Sequence, residues 1–153
     1  MRLRHVASLA AGLGALAHEA TAGGRLAAPP NERWKAECGS CHIAYPPRLL
    51  AREAWHRIMS GLDRHFGMDA SLDAPAVAEI EAWLERHSGP SARAQPSAGG
   101  LRISETPWFL HEHDEVPPQS WKHPAVRSPA NCGACHTTAD QGDFRERNIR
   151  IPR

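Results

Sequence analysis

Cys38 and Cys41 stand two residues apart in "ECGSCHIAYPP", residues 37–47, with His42 directly behind the second. Cys132, Cys135 and His136 repeat the arrangement in "NCGACHTTADQG", residues 131–142, and the two copies account for all 4 cysteines of the chain. Two disulfides would suit an oxidising compartment, but disulfide cysteines rarely recur as a local pair followed at once by histidine. A thioredoxin-like redox pair needs a strand–loop–helix context, and no strand pattern precedes either site. Zinc knuckles place their pairs about 15–20 residues apart, whereas ninety residues lie between Cys41 and Cys132. Covalent attachment of haem c uses all six side chains. Each cysteine pair forms thioethers to the porphyrin vinyl groups, and the adjacent histidine ligates the iron from the near side. The expectation is two covalently bound haem c groups, attached through Cys38, Cys41, Cys132 and Cys135, with His42 and His136 as proximal ligands.

The sixth position of each iron decides what the iron does: filled by a side chain it passes electrons, left open it binds small molecules. Beyond residue 22 the spare histidines are His56, His65, His87, His111, His113 and His123, and the spare methionines are Met59 and Met68. For the first haem, His56 beside Trp55 reads as a surface residue, and His87 suits the negative end of a helix dipole. His65 and Met68 share the loop "LDRHFGMD". Histidine would lower the potential and methionine raise it; imidazole nitrogen competes well, which favours His65 while leaving Met68 in play. For the second haem, His111 and His113 lie two residues apart on one short helix, about 200° of rotation, so one haem can recruit only one of them. His123 on a proline-broken loop is a third candidate.

The elements that must position these groups are helical. "PNERWKAECGSCH", residues 30–42, starts with Asn31 as a cap, carries Glu32 in its first turn and meets Pro46 and Pro47 beyond its end. "RLLAREAWHRIMSGL" places Leu49, Leu50, Ala54, Trp55, Ile58, Met59 and Leu62 on a stripe of helical period. "DRHFGMDASLD" is a loop, and "APAVAEIEAWLERHSG" is a closing helix with Asp73 before it, Pro75 in its first turn and Gly89 past its end. The small, polar, proline-rich residues 89–100 read as a linker between a first haem unit, 23–88, and a second, 101–153. In the second unit Thr106 caps and Pro107 opens a short helix, Pro117 and Pro118 end it, and Cys132 to His136 are expected on another short helix. Neither half carries alternating β-branched residues. The fold class is therefore mainly α, with a small, loop-rich second unit.

Residues 1–22 have a basic start (Arg2, Arg4), an apolar run from Val6 to Ala17 and small residues at Ala20 and Ala22. That is the pattern of a Sec-type signal peptide cleaved after Ala22. The run is shorter than the roughly 20 residues a membrane span needs, and Arg2 and Arg4 are not adjacent as twin-arginine export requires. Export to the periplasm is the expectation. Without Arg2, Arg4 and Glu19, Lys plus Arg falls from 18 to 16 and Asp plus Glu from 17 to 16, leaving a formally neutral chain. No nucleic acid is expected as a partner. So polar a chain builds a thin core, and two large apolar macrocycles, packed by Trp34, Trp55, Trp83, Trp108 and Trp121, would supply what is missing. "FRERNIRIPR" gathers Arg145, Arg147, Arg150 and Arg153 against Glu146 alone, either as a docking rim for an acidic partner or as partners of the second haem's carboxylates.

"SGLDRHFGMDASLD", "EHDEVPP" before a tryptophan, "SPANCGACHTTADQGDF" and the closing "IRIP" resemble the bacterial dihaem cytochrome c (DHC) family, from about Trp34 to Pro152. The resemblance implies a class I cytochrome c-like N-terminal unit, a second unit of its own topology, and two histidines on each iron. Matched by motif, the far-side ligands are His65 in "DRHFG" and His113 in "EHDE"; Met68 is a departure that keeps an alternative ligand chemically open. It also implies a carrier of single electrons rather than an enzyme, with no small-molecule substrate. Its partners would be redox proteins, a small haem protein and a membrane b-type cytochrome among them. The rival reading is a haem enzyme or gas-binding protein in which one iron is open or swaps its ligand.

Overall fold

The computed structural model describes residues 26–89 and 100–152; the expected signal peptide and nearly all of the expected linker lie outside them. The described residues form helices α1 (Glu32–Cys38), α2 (Arg52–Met59), α3 (Ala74–His87), α4 (Pro107–Glu112) and α5 (Pro118–Trp121), with 3-10 turns between the first four and along the segment that follows α5. Among them there is no strand, only two isolated β-bridges, His65 with Met68 and His136 with Ile149. No described helix is long and apolar enough to cross a membrane.

Helices α1 and α3 start where their sequences say they should. Asn31 Oδ1 accepts the Trp34 amide at 2.7 Å, and Asp73 Oδ1 accepts the Ala76 amide at 2.7 Å with proline in the first turn. Each cap satisfies a backbone donor that the helix itself cannot. α1 is shorter than its sequence pattern predicts, ending at Cys38 well before Pro46. Gly39 ends it: a Cβ there would lie 2.3 Å from the Lys35 carbonyl oxygen, so the chain turns tightly between the two cysteines only because the residue is glycine. α2 is likewise trimmed, because Pro47–Leu49 forms a 3-10 turn and Leu50 is extended.

The core lies between α2 and α3. Leu50, Ala54, Trp55, Ile58 and Met59 pack on Ile80, Trp83 and Leu84, all buried. Burial of such side chains is worth roughly 1.5–3 kcal/mol each. The Trp55 indole N–H donates to the Pro47 carbonyl at 2.7 Å, which satisfies the one polar atom that tryptophan takes inside. α1 crosses α3 through Trp34 and Trp83, ring centroids 4.7 Å apart. His56 Nδ1 pairs with Glu81 at 2.6 Å on the outside of the α2–α3 pair.

The second unit has far less of its own. Its buried residues are Thr106, Phe109, Val126, Ala139, Gly142 and Asp143, while Leu101 and Ile103 pack against the core of the first. Thr106 caps α4 as expected, its Oγ1 accepting the Phe109 amide at 3.1 Å. α4 stops at Glu112, before the proline pair; Pro118 instead opens α5, where its missing N–H costs nothing. The second cysteine pair sits on a 3-10 turn, Cys132–Ala134, rather than on an α-helix. Among the described residues the units are tied by hydrogen bonds from the Leu26 amide to the Gly142 carbonyl at 2.8 Å and from the Tyr45 hydroxyl to the Ala130 carbonyl at 2.6 Å.

Candidate haem-attachment sites

In the first site, Cys38 ends α1, half-buried, and Cys41 is exposed on the following turn. Burial, with Glu37 adding to it, pushes the Cys38 thiol up to about 11. His42 Nδ1 donates to the Ile43 carbonyl at 2.6 Å, leaving Nε2 as the free ring nitrogen. The imidazole lies flat against Tyr45, centroids 4.5 Å apart and planes 19° from parallel. The ring of His65 faces it at 6.2 Å with the planes 25° apart. His65 is carried there by the 3-10 turn Leu62–Arg64 and by a reversal through Phe66 (φ 52) and Gly67 (φ 96). Burial lowers the His65 pKa, reinforced by His42 and by Arg102, whose guanidinium sits 4.4 Å above the Phe66 ring. Met68 leaves 71 % of its surface exposed, while His65 is half-buried. Beside His65 opens a cavity of about 390 Å³, lined among others by Arg57, Ile58, Arg64 and Leu101.

In the second site, the 3-10 turn brings the His136 amide onto the Cys132 carbonyl at 2.8 Å. Burial raises the Cys132 thiol to about 11 and also raises Cys135. The loop is pinned by the closing segment, the Arg150 amide donating to the Cys135 carbonyl at 2.8 Å. His113 caps the end of α4, its Nδ1–H donating to the Phe109 carbonyl at 2.8 Å and its ring stacked on Phe109 at 4.0 Å. The rings of His113 and His136 are 6.0 Å apart with planes at 77°. Burial lowers the His136 pKa, with His113 as the second cause. Trp121 and Phe144 complete the surround, 5.8 Å from His113 and 5.2 Å from His136. A cavity of about 830 Å³ lies alongside, lined by Ser120, His123, Ile149, Arg150 and Pro152 among others.

The remaining candidates make contacts of other kinds. His56 pairs with Glu81, His87 Nδ1–H donates to the Trp83 carbonyl at 2.8 Å, and exposed His111 lies 3.9 Å from Asp114. His123 Nδ1 accepts the Ala125 amide at 3.2 Å. In the C-terminal segment Arg145 forks onto Asp143, and Arg150 donates to the carbonyls of Arg147 and Ile149; Arg153 is outside the described residues. The tryptophans divide: Trp55 and Trp83 belong to the α2–α3 core, and Trp121 stands beside His113.

The donor set fits haem c and fits neither rival. All four thiols are unpaired, so neither cysteine pair is a disulfide. Among the described residues the only convergent group of three metal-ligating side chains is His56, Glu81 and Glu85, which contains no cysteine and so no zinc knuckle. His136 stands 6.0 Å from His113, ring to ring, and its Nδ1 is buried without a hydrogen-bond partner, as is Trp83 Nε1 in the α2–α3 core. The signals missed in sequence are Tyr45, which follows the first motif by three residues, and Phe109, which precedes His113 by one helical turn.

Two cysteine-pair-and-histidine segments on a helical fold, each with a second imidazole facing it, define a c-type cytochrome with two haem sites. Residues 34–144 match the dihaem cytochrome c family. The chain belongs to that family, and with it carries two covalently bound haem c groups as an electron carrier. It is 41 % identical to DHC purified from Rhodobacter sphaeroides, with a TM-score of 0.66, covering 76 % of this chain and 98 % of that one. The dihaem cytochrome c from Shewanella baltica OS155 is 40 % identical with a TM-score of 0.70, covering 82 % of this chain and 95 % of that one. Comparison with curated proteins gives no match.

Proposed function

We propose that the chain is a periplasmic one-electron carrier with both irons bis-histidine ligated: His42 with His65 on the first, His136 with His113 on the second. Cys38, Cys41, Cys132 and Cys135 are the attachment points. The observation that carries this is the spacing of the imidazole pairs, 6.2 Å and 6.0 Å between centroids. Rings at that distance are too far apart to hydrogen-bond each other. With a metal–nitrogen bond of about 2 Å, as zinc makes to histidine, each imidazole pair at this spacing could hold one iron between its two rings. The haem irons supply the one-electron Fe(II)/Fe(III) couple.

The polypeptide does the rest. The Ile43 and Phe109 carbonyls hold the Nδ1 protons of His42 and His113, which fixes each ring and presents Nε2 as the ligand nitrogen. Phe109, Trp121 and Phe144 exclude water around the second pair. Held by His42 with His65 and by His136 with His113, each iron would be low-spin and would pass electrons rather than take a substrate, which supports a carrier of electrons between redox proteins over an enzyme. The N-terminal residues 1–22 support export. The test is a visible spectrum of the ferrous protein with and without carbon monoxide. Two low-spin haems, unchanged by the gas, are expected; a carbon monoxide complex at either iron gives the site to a gas-binding or enzymatic haem.

A further inference from the structure

Tyr45 is the only tyrosine in the chain, and it touches both haem-attachment segments. Its ring covers the face of His42, 4.5 Å between centroids and 19° between planes. Its hydroxyl crosses to the second unit and donates to the Ala130 carbonyl at 2.6 Å, over 85 residues of sequence. That carbonyl also accepts the Cys132 amide at 3.0 Å. A single acceptor thus joins the phenol from one unit to the first thioether cysteine of the other. Ile43, next to His42, completes the contact: a Cβ on Gly133 would meet its Cγ2 at 4.0 Å, ordinary van der Waals distance.

The base on which Tyr45 stands is rigid. Pro46 and Pro47 follow it, both buried, and the Pro47 carbonyl is held by the Trp55 indole in the first unit's core. On the far side, the Ala130 amide donates to Ser128 Oγ at 3.1 Å, and the Asn131 side chain donates to the Val126 carbonyl at 3.1 Å. A half-buried hydroxyl between two fixed walls sets a distance rather than filling a gap.

We propose that Tyr45 is the positioning residue that fixes the two haem-attachment segments relative to each other, its ring setting the plane of His42 and its hydroxyl setting the Cys132 segment. The electronic contact between the sites follows from that placement: one electron leaves one centre and reduces the other, and Tyr45 keeps its proton throughout. The inference rests on His42 and Cys132 holding haem, as proposed above. Covalent haem count and the wild-type ferrous spectrum, measured first, test that reading separately.

The experiment uses the holoprotein with Tyr45→Phe, which keeps the ring and removes the hydroxyl, and Tyr45→Leu, which removes both. Each is read by ferric electron paramagnetic resonance, by the rate of electron exchange between the sites in half-reduced protein, and by amide hydrogen exchange at Cys132. In Tyr45→Phe the resonance of the first site stays as in wild type, inter-site exchange slows severalfold, and the Cys132 amide exchanges about fivefold faster, the loss of one hydrogen bond. In Tyr45→Leu the first-site resonance shifts as well. Tyr45→Phe indistinguishable from wild type in both rates overturns the role of the hydroxyl. An unshifted first-site resonance in Tyr45→Leu overturns the role of the ring.

Discussion

The imidazole planes of His113 and His136 stand 77° apart, whereas those of His42 and His65 differ by only 25°. Imidazole donates π density perpendicular to its ring. Two near-parallel rings act on the same iron d orbital and split the pair; two near-perpendicular rings act on one orbital each and leave them almost degenerate. The ferric protein should therefore show two low-spin resonances of equal weight, one ordinarily rhombic from the first site and one with markedly larger g anisotropy from the second. A single resonance integrating to both irons would mean that the ring planes are alike.

Loss of a far-side ligand should be local. His113→Ala should convert the second iron to a five-coordinate, carbon monoxide-binding form with a raised potential, because a nitrogen ligand that favours Fe(III) is gone. His111→Ala, two residues away and exposed against Asp114, should leave both spectra unchanged. At the first site His65→Ala should do what His113→Ala does at the second, while Met68→Leu should be silent, since Met68 keeps 71 % of its surface in solvent. A spectral change on Met68→Leu with none on His65→Ala would reverse the assignment.

Much of this was legible in the sequence, for reasons particular residues make plain. The caps at Asn31, Asp73 and Thr106 are local chemistry, and the stripe from Ala54 to Met59 is local periodicity, so both survive into the fold. The second attachment segment was not legible as a 3-10 turn, because its shape is imposed by the bond from the Arg150 amide to Cys135, fifteen residues apart. The choice of His113 over His111 was open on residue types alone and was carried only by resemblance to the family. In the structure the last turn of α4 sends His113 onto Phe109 and leaves His111 in solvent. Tyr45 was invisible as a functional residue because its partner lies in the other unit.

Gly142 sits at φ 67, and a Cβ there would come within 2.9 Å of the Ala27 backbone. The close approach is what allows the Leu26 amide to reach the Gly142 carbonyl. Gly142→Ala combines the left-handed penalty with a clash against main chain that cannot rotate away, and should cost about 2–4 kcal/mol. Denaturant unfolding of the holoprotein measures it; a change under about 0.5 kcal/mol would show that the segment at Leu26 does not hold the second unit.

Asp143 gives the second unit an acid limit. It is buried, and the fork from Arg145, through hydrogen bonds first, holds its carboxyl well below the usual carboxylate range. A carboxylate whose folded pKa is depressed contributes its stability above its unfolded pKa, about 3.9, and loses it as the pH falls toward the folded value. Asp143→Asn keeps the shape and an acceptor oxygen but no charge. Unfolding measured at pH 7 should show the variant less stable than wild type, with the difference narrowing below pH 4. An undiminished difference in acid would place the effect in packing rather than charge.

The last expectation concerns what the second haem does for the fold. The first unit buries a cluster from Leu50 to Leu84 on two helices. The second buries Phe109, Val126 and Ala139 as its apolar side chains, and two of its own, Leu101 and Ile103, lean on the first. A unit with so few buried apolar groups cannot offset the entropy of ordering its backbone without a cofactor that folds it as it binds. Replacing Cys132 and Cys135 by Ala should thus give a protein with one covalent haem. The protection of α2 and α3 against hydrogen exchange should be kept, and that from Thr106 to Asn148 largely lost. The bonds at Gly142 and Ala130 are too few to offset that entropy by themselves. Full protection of α4 and the 132–136 turn in a one-haem protein would show that the polypeptide builds the second site unaided, and that the haem enters a fold already formed.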